Sequence, residues 1–192
     1  MRSKLSNEIK ALDFIFENSP VKVIANRNLH EIKLVGLSIG PFEEGAQYEV
    51  PYWIASKLEK AGVVRFRSED SLDPLKLYKI QWKERLQAAG QLSEFPKDFY
   101  PKFRRYLSQI KVEIVKNPEK MREYEKAKYL AMDIVNLRLK KILSLASTPA
   151  TSTQIIKSLT EEERILYGKI HHLIEEWRNQ LMKLEEEKEG DE

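Results

Sequence analysis

The chain has 192 residues, 42% hydrophobic and 33% charged, with a formal net charge of +3. That length allows one ordinary domain or two small ones around a buried core, and the charge is too small to mark a dedicated nucleic-acid binder. Cysteine is absent, which excludes disulfides, thiolate metal sites and a cysteine nucleophile.

No apolar run approaches the roughly 20 residues of a membrane-spanning helix. The opening "MRSKLSNEIKALDFIFENSP" has acids inside its apolar stretch and no small-residue cleavage site, so no signal peptide is expected. Twenty-two lysines and 24 glutamates stand against seven asparagines and seven glutamines. That balance follows the hyperthermophile trend, so a thermophilic source is expected, while the absence of cysteine points to an intracellular, cytoplasmic setting. Residues 185–192 hold six acids and one lysine, which reads as a solvated, fraying helix end.

In chain order, Leu5, Ile9, Leu12 and Phe16 have helical spacing and predict a short amphipathic helix. Short β-branched runs follow at 21–25, 31–37, 47–50 and 63–67, separated by Asn, Gly and Pro. Between the last two runs, Pro51 ends a strand and opens a helix. The polar stretch 68–73 lacks periodicity and marks a boundary, giving a small β-rich domain over 1–68 and a helical domain over 69–192. The fold class is therefore α+β, with an all-α bundle at the C-terminal end.

Asp73 and Pro74 form a cap and first helical residue, with Leu75, Tyr78, Trp82 and Leu86 on one face before Gly90 stops the helix. Phe99, Phe103, Tyr106, Leu107, Ile110 and Ile114 predict the next helix. Asn117 and Pro118 restart the chain for a long helix to about Leu145. Thr160 and Glu163 make a capping box ahead of Leu166, Ile170, Leu173, Trp177, Leu181 and Leu184, which lie close to a heptad seam.

The 118–145 helix is the most informative element. Its polar stripe (Arg122, Lys126, Tyr129, Asp133, Asn136, Lys140, Ser144) covers about a third of the circumference at 100° per residue. A surface helix needs an apolar stripe of only about 100°, so this one is expected to pack on two sides. Arg138 sits inside the apolar arc. A buried guanidinium is costly alone, so a carboxylate or carbonyl partner is expected, unless its head reaches water.

A search for chemistry finds little. There is no phosphate-binding glycine loop, no GxGxxG and no HExxH. His171 and His172 are adjacent on a helix and cannot clamp one metal together, while His30 stands alone. No catalytic residue, cofactor or metal is expected. Arg65 and Arg67 share a strand face, and Lys102, Arg104, Arg105, Lys140 and Lys141 add charge among aromatics. Such mixtures track single strands, but acids interleave almost everywhere, so at most weak DNA contact is expected.

The segment "GPFEEGAQYEVPYWIASKLEKAGVVRF" resembles the small domain of GINS complex subunits, replication proteins of archaea and eukaryotes. The match includes Gly40, Pro41, Phe42, Gly45, Val50, Pro51, Trp53, Ala55 and Leu58. "FPKDFYPK", "DIVNLRLKKILSLA" and "LTEEERILYGKI" resemble successive segments of the family's helical domain. Asp133, Arg138, Lys141 and Ile142 carry the second of these. The β-rich part comes first, as in the archaeal subunit related to the Psf-two and Psf-three proteins.

The resemblance implies a non-catalytic replication scaffold in a hetero-oligomer. Its companion would be a GINS subunit of the helical-domain-first type, in a 2:2 tetramer associated with the MCM helicase and a RecJ-like protein, with primase a further contact. The setting is then cytoplasmic and nucleoid-associated. Leu130, Ile134, Leu137, Arg138, Ile142, Leu166, Leu173 and Trp177 are the expected subunit interface. In the small domain, Trp53 and Leu58 are expected to anchor the helix on the sheet with Phe42 nearby. Tyr52, Arg65 and Arg67 are the residues offered to a partner, Tyr52 being partly buried. The competing reading is a basic nucleic-acid-binding protein with a helical dimerisation domain.

Overall fold

A computed structural model describes residues 4–67, 71–88, 91–115, 117–148 and 153–189. The chain runs through α1 (Lys4–Asn18), β1 (Pro20–Ala25), β2 (Ile32–Leu34), β3 (Leu37–Ile39), β4 (Gln47–Pro51), α2 (Tyr52–Lys60) and β5 (Val64–Phe66). It continues through α3 (Pro74–Leu86), α4 (Phe99–Ile114), α5 (Lys120–Ala146), α6 (Thr153–Lys157) and α7 (Glu161–Glu189). This is the α+β order that the sequence predicts. Two compact units divide it: Ile9–Leu72, and Met1–Glu8 together with Asp73–Glu192. Residues 68–70 of the expected boundary, the expected stop at Gly90, and residues 190–192 of the acidic tail lie outside the described residues.

In the first unit, β1 is the centre of a three-stranded antiparallel sheet ordered β4-β1-β5. Val21 stands opposite Val50, and Ala25 opposite Val64. Strand side chains alternate between faces, so Val23 and Ala25 turn inward together, and Ile54, Ala55 and Leu58 of α2 join them in one core with Ile39 and Phe42. The run 31–37, expected as one strand, is instead split by a two-residue turn between Leu34 and Leu37. Gly36 takes φ +78° there, a conformation that glycine adopts without strain and that reverses a hairpin.

A second glycine has a packing reason. Gly40 has φ +90°, and a Cβ on it would meet the Phe42 ring at 3.1 Å. Phe42 is thereby free to fold back into the core, where its backbone pairs with Leu29.

Pro51 supplies the last strand position and the N-cap of α2, with φ −54° and ψ 141°. The expectation for Trp53 is corrected. It is 39% exposed, while Ile54, Ala55 and Leu58 are buried. Ile54 and Ala55 lie one turn before Leu58 and share its face, whereas Trp53 is five residues back and rotated about 140° away. Tyr52 is the aromatic that packs. Its ring lies 4.5 Å from Phe16 and 5.5 Å from Phe66, and it is half-buried.

In the second unit, α3, α4 and α7 all pack against α5. Asp73 caps α3 by accepting the Lys76 N–H at 2.7 Å. The Asn117 side chain accepts the Glu119 N–H, so Pro118 sits in a turn and α5 begins at Lys120. The capping box forms at α7: Thr160 N–H donates to Glu163, and Glu163 N–H donates to the Thr160 hydroxyl. Helices α5 and α7 run side by side in the same direction, because Arg138 bonds Glu163 and the Ala146 carbonyl meets His171, eight residues further along each helix. Among the described residues no helix is long and apolar enough to cross a membrane.

Candidate functional site

Arg138 is the largest fully buried side chain, 1% exposed, and its partners span the bundle. Nε donates to Glu163 Oε1 at 2.8 Å, and Nη2 reaches the other oxygen of the same carboxylate. Nη1 donates to the Ser93 carbonyl at 3.0 Å and to Glu84 Oε2 at 3.3 Å, while Nη2 also reaches the Ser158 carbonyl. The guanidinium lies 4.3 Å from the centre of the Phe95 ring, a cation–π placement that a desolvated arginine favours.

Every charge in this cluster is matched. Lys141 Nζ is 2.8 Å from Glu84 Oε1, and the Ser93 N–H and hydroxyl both donate to Glu84 Oε2. Tyr100 donates to Glu163 Oε1. Burial pushes the Glu84 carboxyl up, but Lys141, Ser93 and Arg138 outweigh it and hold the carboxyl below its usual range. Burial and the adjacent Glu163 push the Tyr100 phenol far up. Burial disfavours the Arg138 cation, but Glu163 and Glu84 outweigh that and raise its pKa. Removing one member of such a network strands a charge, at a cost of about 3–5 kcal/mol. The network therefore fixes the relative register of α3, α5 and α7.

The partner expected for Arg138 is present, but its assignment to a subunit interface is corrected. Leu130, Ile134, Arg138 and Ile142 are all buried by this chain's own helices. They line the inward arc of α5 together with Ala127, Ala131 and Leu145. Leu137 and Leu166 are half-buried. Leu173 and Trp177, by contrast, are 64% and 62% exposed.

The second side of α5 lies elsewhere on the helix. Met132, Val135, Leu139 and Leu143 follow one another at steps of three, four and four, and all are exposed. That spacing places them on one stripe, rotated from the buried arc. Helix α3 shows a similar inversion. Leu77, Gln81 and Glu84 face inward, and Leu75, Tyr78, Trp82 and Leu86 form an exposed row. The sequence signals were available: 77, 81 and 84 step by four and three, so an acid at the third position of a core-facing row announces a buried cation partner.

In the small unit, Phe42, Val50 and Leu58 are in the core, Pro51 is half-buried, and Gly40 and Pro41 are exposed on the turn before Phe42. Arg65 on β5 is exposed and donates to the Asn26 side chain at 2.6 Å. Arg67 lies just past the end of β5 and is half-buried. Among the described residues, no group of three or more His, Cys, Asp or Glu side chains is placed to hold a metal ion.

Comparison with known proteins follows the same two units. Residues 8–65 match the family described as the PSF2 N-terminal domain, and residues 76–182 match the GINS complex protein helical bundle domain. The chain is similar to the human protein named DNA replication complex GINS protein PSF2, with 32% identity over 89 residues. It is also similar to the Xenopus laevis protein of that name, with 30% identity over 89 residues. The matched stretch covers 46% of this chain and 47% of each relative, so the likeness spans about half the length of either curated protein. With the helical-bundle match alone running over more than half its length, the chain belongs to the GINS family, in the arrangement that places the β-rich unit ahead of the bundle.

Proposed function

We propose that this chain is a non-catalytic subunit of a GINS complex acting in DNA replication. It assembles with a GINS subunit of the helical-domain-first type in a 2:2 tetramer. The observation that carries the reading is the second apolar face of α5, where Met132, Val135, Leu139 and Leu143 are exposed on a helix whose other side is already buried. Contiguous apolar surface of this kind marks a protein contact. Leu173 and Trp177 are also exposed, on α7.

The family resemblance supplies the remaining partners: the MCM helicase, a RecJ-like protein and, as a further contact, primase. Tyr52 has its ring committed to Phe16 and Phe66. Arg65 and the exposed Trp53 are therefore the small unit's surface for these partners.

Co-expression with a helical-domain-first GINS subunit, followed by light scattering, tests the assembly. A stable complex holding both chains is expected. Leu139→Glu should abolish it while leaving the melting temperature of the isolated chain within a few degrees. A chain that ignores the second subunit would overturn the reading.

A further inference from the structure

The polar stripe of α5 is a feature that subunit assembly leaves without a role. Arg122, Lys126, Tyr129, Asn136 and Lys140 are all exposed, and at 100° per residue they fall within about 80° of one another. From Arg122 to Lys140 the line is about 27 Å long at 1.5 Å per residue. Asp133 lies in the same line, but its carboxylate is taken by Arg85 of α3 at 2.8 Å. Arg122, Lys126 and Lys140 have no carboxylate within salt-bridge distance among the described residues. The exposed acids beside the line are Glu119, ahead of the helix, and Glu125, on the edge towards Met132.

Two rings stand among these cations. Tyr129 is 68% exposed. Tyr78 of α3, itself exposed, meets Lys126 across a hollow of about 550 Å³ that Asp73, Pro74 and Leu75 complete. Helices α3 and α5 run in the same direction there, because Arg85 bonds Asp133 seven residues further along each helix. Lys126 is thus flanked by one ring from each helix.

Cations that track a backbone, with rings on which bases stack, are the elements of a single-strand site. A duplex has its bases already stacked on one another, so these rings would have nothing to take from it.

We propose that the polar stripe of α5, together with Tyr78 of α3, binds single-stranded nucleic acid. Arg122, Lys126 and Lys140 meet phosphates, one base enters the hollow to lie on Tyr78, and another stacks on Tyr129. The line spans about eight nucleotides at the roughly 3.4 Å spacing of stacked bases. Stacking and phosphate contact accept any base, so the site holds a strand without reading its sequence. The proposal goes beyond subunit assembly and uses a separate surface. The centre of the apolar stripe of Met132, Val135, Leu139 and Leu143 lies about 100° round α5 from the centre of this line.

Fluorescence anisotropy of labelled oligo-dT titrated with the full chain is the test, with labelled oligo-U and a duplex of the same length beside it. The single strands should bind with dissociation constants of about 1–100 μM at low salt, and about twentyfold more weakly when salt rises from about 50 to 200 mM. Lys126→Ala should lower the slope of log affinity against log salt by about 0.7. Tyr129→Ala should weaken binding about tenfold, and Tyr129→Phe should keep it. Lys128→Ala, which removes an exposed cation of α5 off the line, should leave binding unchanged, as should Leu139→Glu. A preference between oligo-dT and oligo-U identifies the strand, and either supports the site.

A duplex bound as tightly as oligo-dT, or Tyr129→Ala without effect, would reduce the line to a patch of charge and overturn the proposal. So would a chain that ignores both single strands at low salt, or one in which Lys128→Ala matters as much as Lys126→Ala. Failure to assemble with a second GINS subunit sinks that reading and leaves this one standing.

Discussion

Glu84 contributes no exposed charge, yet it joins α3 to α5 through Arg138 and Lys141. Glu84→Gln removes one charge and leaves Arg138 partly uncompensated, so we expect a loss of about 3 kcal/mol, read by urea denaturation. The pH dependence has a definite sign. The folded carboxyl sits below its ordinary 4.5, so its stabilisation is complete above that value and fades as pH falls through the depressed one. Wild type should therefore lose stability on acidification with a steeper slope than Glu84→Gln, and the difference isolates this group from the other carboxylates. At α2, Ile54→Ala should cost about 2–4 kcal/mol, whereas Trp53→Ala should cost under about 1, because only the first side chain is in the core.

At the scale of elements, α5 separates two roles along one helix. Ile134 is fully buried and Leu139 is 37% exposed. Ile134→Ala should lower the stability of the isolated chain by about 2–5 kcal/mol. Leu139→Ala should leave it within about 1 kcal/mol and weaken binding to a second GINS subunit, as measured by calorimetric titration. The longer helices were legible in sequence, with caps at Asp73 and Thr160, because short-range periodicity and capping chemistry fix them locally, whereas the five-residue α6 was not. Which arc of α5 turns inward was not legible. A helix that is apolar most of the way round carries no internal mark for the side its own chain will cover, and α3, α4 and α7 decide that through long-range packing. Trp53 was misplaced for a related reason: bulk suggested an anchor, but helical phase gave the core to Ile54 and Leu58.

For the molecule as a whole, the β-rich unit ahead of a bundle was legible from texture alone, and the spacing of Gly40, Pro41 and Phe42 made sense once the ring of Phe42 folded back over Gly40. What the sequence hid was which groups meet Arg138 in the bundle, since Glu84, Ser93 and Glu163 are brought to it from three other segments. Assembly with a second GINS subunit links folding to association, so the melting temperature should rise when that subunit is added to the wild type and stay unchanged in Leu139→Glu, as differential scanning calorimetry would record.

The ion network also sets an order of events during synthesis. Arg138 leaves the ribosome twenty-five residues before Glu163, the carboxylate that grips it from two sides. Until α7 begins to emerge, α3–α5 must carry a half-neutralised guanidinium that no apolar collapse can hide. The small unit is translated first and has its own core, so it is free to settle early, while the bundle waits for its final helix before it can close.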